Sequence, residues 1–395
     1  MLIQHVAPVA GDDFAPVFVA LELSRSKWLV GVGTPQKWAV GRHEVEGGDL
    51  GGLLALLRRI AASEEKRAGL PVRVHVCFEA GRDGHWLYRA LKAEGYDVYE
   101  IDPASVAVDR RARRVKSDGV DVDKLVRTLS RLVRGEFDAC RVVEVPSPAE
   151  EDAKRPYREY ERLVQERTSH TNRVKALLFA QGVRAFDPIA RDWPERLAQA
   201  PILPRLKAEL SRECRRLERI VGDIAEVEAE MAAVVVPARK ATAKAKGAAQ
   251  LSPSQFPSEV QDKIARLYRL KSIGVHFSTV LGGEVYYRKF RNRRGVGQYI
   301  GLAPSPFQSG DMAHDQGIAK AGNGRARKAM TELAWLWRRH QPDSALTKWF
   351  NERVGDQKGR VRRIAIVAMA RKLAVALWRY LETGLVPEGA VLKRA

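Results

Sequence analysis

Cysteine is scarce in this chain. Only Cys77, Cys140 and Cys214 occur, far apart and odd in number. No Cys-x-x-Cys pair and no mixed Cys/His cluster is present, which argues against a zinc site and a disulfide framework. Cys77 sits in an apolar run and reads as a core residue. Long apolar stretches are missing too. No segment approaches about 18 consecutive apolar residues, and Met1-Leu-Ile-Gln-His-Val-Ala7 lacks a basic stretch followed by a long apolar one. The expectation is a cytoplasmic protein with no membrane anchor. Acidic charge is also in short supply: 48 Asp and Glu stand against 68 Lys and Arg, for a net charge of +20. Such an excess points to a polyanionic partner, DNA or RNA. A ribosomal or merely soluble basic protein is the plainer explanation that charge alone leaves open.

Against that background four acids stand out. Glu22 ends the apolar run Val17-Phe-Val-Ala-Leu-Glu22, and Glu79 ends Val72-Arg-Val-His-Val-Cys-Phe-Glu79. Asp118 and Asp121 follow a block rich in Arg110, Arg111, Arg113, Arg114 and Lys116. Carboxylates at strand ends beside a basic patch suit a magnesium-dependent phosphoryl-transfer site on nucleic acid. Asp118 and Asp121 are three apart at a predicted helix start, so both face the same way. Four anions brought together repel unless cations sit between them, and one or two Mg²⁺ ions would resolve that. Taken singly, the aspartates read as a helix cap and a first-turn acid. The basic block reads as phosphate contacts, or as a solvated helix face.

A chain of 395 residues, 45% hydrophobic and 29% charged, suggests two or three globular domains. Residues 17–22, 28–33 and 37–45 read as an antiparallel meander. A helical period over 49–67, a strand to Glu79, a helix near 83–95, a strand 97–102 and a helix 120–134 follow. Three strands, helix, strand, helix, strand, helix is the order of a ribonuclease H-like α/β domain, here 15–148, an analogy of fold alone. Residues 149–236 read as charged helices. In the second of them Leu210, Cys214, Leu217, Val221, Ile224 and Met231 form an a/d seam, for an antiparallel hairpin or a dimerising coiled coil. The Ala-, Lys-, Ser- and Pro-rich stretch 237–258 reads as a linker. The C-terminal domain, 259–385, reads as mostly α-helical, interrupted by a Gly- and Pro-rich stretch at 295–324.

Leu270 to Glu284 reads as two short helices around a turn at Gly274, like a helix-hairpin-helix whose amides hold a DNA phosphate. A second basic cluster follows: Arg288, Lys289, Arg291, Arg293 and Arg294. Tyr299 to Gly310 then leads to Gln316–Arg325, a loop with glycines, with Ser305 and Ser309, and with Lys320 and Arg325 beside it. That composition suits close approach to a phosphodiester, although a loop serine is ordinarily a turn-capping hydroxyl.

Phe78-Glu-Ala-Gly-Arg-Asp-Gly-His-Trp-Leu-Tyr88, the run Ile101 to Asp121, His170-Thr-Asn-Arg-Val-Lys-Ala-Leu-Leu178 and the run Tyr299 to Arg325 together resemble the DEDD transposases of insertion-sequence family one-hundred-ten. The resemblance covers nearly the whole chain. It implies a RuvC-like N-terminal domain, central helices and a C-terminal domain with a nucleophilic serine. It puts Glu79, Asp118 and Asp121 in the second, third and fourth acidic places, and Ser309 of Gln-Ser-Gly in the serine place, with Ser305 as the weaker match. The first acidic place departs: the family has Asp in an Ile-Asp-Leu-Ser setting, and this chain has Leu21-Glu-Leu-Ser24. The extra methylene moves the carboxylate by about 1.5 Å, one C–C bond, where Mg²⁺ tolerates little geometric error. The resemblance further implies a nucleoid-associated homo-oligomer, a dimer or tetramer on two DNA duplexes, with a structured guide RNA encoded beside the element. Two other readings stay open: a RuvC-like junction endonuclease that uses water, and a non-catalytic, decayed nucleic-acid-binding protein.

Overall fold

The computed structural model describes residues 14–35, 37–81, 83–106, 118–235, 256–309 and 312–393. The basic block 110–116 and nearly all of the expected linker fall outside these. The chain divides into two compact units, Leu2–Ser147 and Pro148–Ala395.

The first unit is a five-stranded mixed sheet. Its strands are β1 (Ala15–Leu23), β2 (Lys27–Thr34), β3 (Lys37–Glu46), β4 (Val72–Glu79) and β5 (Asp97–Ile101), in the order β3-β2-β1-β4-β5. The first three form the expected antiparallel meander, whereas β1, β4 and β5 run parallel. Parallel neighbours need crossover connections, and the helical periods supply them. Helix α1 (Leu50–Ala68) joins β3 to β4, α2 (Gly84–Ala93) joins β4 to β5, and α3 (Asp118–Val133) follows β5. Asp49 starts α1 by accepting from the Gly52 amide at 2.8 Å, and Gly69 ends it in the left-handed region that favours glycine.

β1 is apolar from Ala15 to Leu21 because both of its faces are covered there. Val17, Val19 and Leu21 pack with Leu53, Leu57, Leu87 and Leu91 of α1 and α2. Phe18 and Ala20 pack on the other face with Val122, Leu125 and Leu129 of α3. Strand alternation therefore assigns each residue of β1 and β4 to one helix layer or the other.

The second unit begins with α4 (Pro148–Asp152) and α5 (Arg155–Phe179), followed by α6 (Trp193–Gln199) and α7 (Pro204–Val235). Helices α5 and α7 pack as an antiparallel hairpin: Tyr160 meets Glu228 toward one end, and His170 meets Glu213 toward the other. The buried seam of α7 runs Leu210, Cys214, Leu217, Ile220, Ile224, Val227 and Met231. Ile220, not Val221, takes the turn after Leu217, because a straight helix drifts from a strict heptad. One end of the hairpin joins a core with the C-terminal helices through Tyr157, Leu163, Ile224 and Met231. The other closes on α6 through Trp193, Leu197 and Phe186.

The rest of this unit is α8 (Ser258–Arg269), α9 (Val275–Leu281), a π turn (Gly282–Tyr286), α10 (Arg293–Tyr299), a hairpin of β6 (Pro304–Ser309) and β7 (Met312–Ile318), α11 (Gly324–His340), α12 (Ala345–Val354) and α13 (Arg360–Thr383). Two details differ from the sequence reading. The segment expected as a loop around the serines is an antiparallel β-hairpin. The first of the two short helices expected within Leu270–Glu284 is not there: α8 ends at Arg269, and Gly274 stands at the N-terminal cap of α9. No helix among the described residues is long and apolar enough to cross a membrane.

Candidate functional site

Strand pairing brings the two glutamates together. β1 and β4 are in parallel register from Ala15↔Val72 to Leu21↔Phe78, and Glu22 and Glu79 each come one residue later. Glu22 shares a face with Phe18 and Ala20, and Glu79 shares one with Cys77, whose thiol lies 3.8 Å from the Leu125 carbonyl of α3. Both glutamates therefore belong to the α3 side of the sheet.

Helix α3 supplies the aspartates. Its Val122 sits over Gly31 and its Val126 over Gly33, so the helix advances along β2. β2 runs antiparallel to β1, and β1 parallel to β4. The N-terminal turn of α3, with Asp118 and Asp121, consequently lies at the C-terminal ends of β1 and β4. Asp118 is exposed and Asp121 half-buried. Glu44, at 2.8 Å, raises the pKa of Lys27 at the start of β2, and the charge of Asp118 adds to that rise. Arg42 of β3 pins the same turn, donating to Asp123 at 2.8 Å and to the Gly119 carbonyl at 3.4 Å.

Four carboxylates thus share one end and one face of the sheet. Their hard oxygens are the donors a divalent cation such as Mg²⁺ takes. They are gathered but not closed: among the described residues no three His, Cys, Asp or Glu side chains already form a metal-binding group.

Ser309 belongs to the second unit. It is the last residue of β6 and pairs with Met312 across the hairpin tip. Ser305 is half-buried nearer the base of the same strand. Of the second basic cluster, Lys289, Arg291, Arg293 and Arg294 are exposed, while Arg288 is half-buried and lies 4.8 Å above the Tyr299 ring. Lys320 is exposed, in the left-handed region (φ 56°). Arg325 is engaged within the unit: its Nε meets Glu161 at 2.6 Å and its Nη1 meets Glu284 at 3.4 Å. Its charge is neutralised inside the fold, which the sequence reading of a phosphate contact did not foresee. A cavity of about 760 Å³ in this unit, lined by Tyr160, Glu228, His276, Phe277 and Glu332, holds none of the candidate residues.

The residue that sequence reasoning missed is Glu284. It is buried and accepts from Tyr157 Oη at 3.0 Å, Arg158 Nη2 at 2.8 Å and Asn323 Nδ2 at 2.9 Å. Burial alone would push its pKa up. Arg158, together with the hydrogen bonds from Asn323, Arg158 and Tyr157, outweighs that and holds it below the ordinary carboxylate value. Asn323 also caps α11 through the Ala326 amide. Glu284 therefore ties α5 to the segment that leaves the serine-bearing hairpin. The one signal in the sequence was a lone acid between Gly283 and Val285-Tyr286.

Residues 264–348 match the Transposase IS116/IS110/IS902 family. The chain is 43% identical over 389 residues to a Sinorhizobium fredii protein named as a transposase, y4rJ, and the match covers 96% of each. A second Sinorhizobium fredii protein named as a transposase, y4qE, is 26% identical over 92% of this chain and 81% of its own length. A Pseudomonas aeruginosa protein named as a family 20 transposase is 26% identical over 78% of this chain and 83% of its own length. By sequence, then, this chain belongs to the IS116/IS110/IS902 family of transposases.

Proposed function

We propose that the chain cleaves and rejoins DNA by combining a RuvC-like, ribonuclease H-like carboxylate site with a serine nucleophile. The observation that carries this reading is the gathering of Glu22, Glu79, Asp118 and Asp121 at one end and one face of the sheet. The strand order β3-β2-β1-β4-β5, with helices after β3, β4 and β5, supports the ribonuclease H-like part of it. Mg²⁺ held by these carboxylates would polarise the phosphate and stabilise charge on its oxygens.

In this reading Ser309 Oγ attacks the phosphorus of the phosphodiester on which the carboxylates act. A Ser–O–P bond forms, the hydroxyl proton passes to water, and the bond to the leaving sugar oxygen breaks. The phosphoserine conserves one ester bond for the reverse attack by a new DNA hydroxyl, which covalent catalysis makes possible. Exposed Lys289, Arg291, Arg293 and Arg294 position the backbone without reading sequence. The working form is a homo-oligomer on two duplexes, with a structured RNA from the element as guide.

A denaturing gel of end-labelled DNA with Mg²⁺ tests this. A protein–DNA adduct is expected from the native protein and from Ser305→Ala, and none from Ser309→Ala. Free cleaved ends with full activity in Ser309→Ala would replace the serine with water as nucleophile. Unchanged DNA processing in Asp118→Ala/Asp121→Ala would remove the carboxylates from the chemistry.

A further inference from the structure

The corner where α11, α12 and α13 meet carries a charge excess that neither the carboxylates nor the serine hairpin uses. Residues 338–363 hold eight Lys or Arg against three Asp or Glu. Residues 355–364 are all exposed, including Val361 and Ile364, so the first turn of α13 projects from the core.

Two of these cations are held in place. Arg362 of α13 lies over the Trp335 ring of α11 at 5.0 Å. Arg338 of α11 lies over the Phe350 ring of α12 at 5.3 Å. The two rings meet edge to face, with centroids 6.1 Å apart. One aromatic pair thus carries a guanidinium group on each of its two rings. Neither has a carboxylate partner among the described residues, and Arg338 makes one long bond, 3.4 Å, to Asn351 Oδ1. Stacking fixes a guanidinium plane while leaving its edge donors for a ligand. Two ordered, like charges without a counter-ion form a site for an anion, and the guanidinium fork matches phosphate oxygens.

We propose that Arg338 and Arg362 form a second DNA-contact site, which grips the phosphate backbone of a duplex at the α11–α12–α13 corner. Arg339, Arg353, Arg360 and Arg363 extend the positive surface around it. Arg338 stands about 20 Å along α11 from Arg325, at 1.5 Å per residue. The site therefore contacts the duplex well away from the loop leaving the serine hairpin. DNA is the partner because the chain is a transposase, and the assignment does not depend on Ser309 or on a bound metal.

The test is duplex-DNA binding by the full chain, read as fluorescence anisotropy over a salt series. Arg338→Gln/Arg362→Gln is compared with Arg205→Gln/Arg212→Gln, which removes the same charge from exposed positions of α7. The site variant is expected to bind roughly tenfold more weakly at fixed salt, equally across sequences. Its slope of log K against log salt is expected to be shallower by about 1.8, the loss of two phosphate contacts. Circular dichroism and a melting curve establish that each variant is folded. Single Arg338→Gln and Arg362→Gln variants, each expected to make the slope shallower by about 0.9, supply the measurement if the double variant fails to fold. An unchanged slope, or an equal loss in the α7 control, overturns the proposal. Loss of binding to a structured RNA with duplex binding intact overturns its assignment to DNA.

Discussion

Glu22 and Glu79 each stand one residue beyond Leu21↔Phe78, the last pair in the parallel ladder of β1 and β4, and both belong to the face that α3 covers. Two carboxylates on adjacent strands at the same register position disfavour each other. The N-terminal turn of α3 adds two more anions at the same end.

Glu79→Gln is accordingly expected to abolish DNA cleavage. Millimolar Mg²⁺ is expected to raise the melting temperature of the native protein, since a ligand bound to the folded state stabilises it. In Glu79→Gln that rise is expected to shrink or vanish. Melting curves with and without Mg²⁺ check this, and an undiminished rise in the variant would remove Glu79 from the ligand set.

Gly31 decides how closely α3 approaches the sheet. A Cβ built there falls 2.0 Å from Val122 Cγ1 and 3.1 Å from Val40 Cγ1. Gly31→Ala must push α3 outward, at a cost of about 1–3 kcal/mol for overpacking. Asp118 and Asp121 lie in the turn that ends at Val122, so cleavage is expected to fall along with stability. Val122→Ala in the same chain is expected to restore part of both, because the two side chains compete for one volume. Strictly additive losses in the double variant would refute the packing argument.

Glu284 makes a different prediction. Glu284→Ala leaves the half-exposed Arg158 with no carboxylate and takes the partner from the buried Tyr157 and from Asn323. Breaking a fully buried pair from one side costs about 3–5 kcal/mol, and water at the exposed part of Arg158 holds the cost here below that range. Glu284→Gln keeps the shape and one acceptor, and is expected to lose less. Chemical denaturation should rank native above Gln above Ala. Equal stability for all three would show that the network contributes nothing.

The first unit was legible because its core alternates simply. Val17 to Leu21 is apolar at every position, as a strand covered on both faces must be, and α3 repeats its apolar residues at helical spacing. That Glu22 and Glu79 lie at the ends of apolar strand runs was readable. Their common face was not, because it depends on which strands pair and in what register. The β6–β7 hairpin was hidden by Pro304 and Pro306, which local preference assigns to a loop and which an edge strand tolerates. Glu284 was hidden by distance: its partners Tyr157 and Arg158 lie 127 and 126 residues earlier in the chain. Arg325 carried the same ambiguity, since the sequence shows a cation without showing Glu161 beside it.

His75 gives a pH dependence with a definite sign. It is buried on β4 between Phe18 and Tyr99, with ring centroids 6.0 and 6.1 Å away, and its Nε2 is buried without a partner. Burial lowers its pKa to about 4. Asp97, 3.6 Å away, opposes that shift, while Arg73 and Lys92 reinforce it. Between an ordinary histidine value of about 6.5 and this lowered one, the unfolded chain takes up a proton that the folded chain refuses. Stability therefore falls as pH drops from about 6.5 toward 4, by roughly 3 kcal/mol from this one group, at 1.36 kcal/mol per pH unit. His75→Phe fills similar space without a titrating group. Its stability relative to the native protein is expected to rise between pH 7 and pH 4.5. Urea denaturation of the full chain at both pH values measures the difference, and a gap that does not change with pH would mean that the buried imidazole is not what the acid attacks.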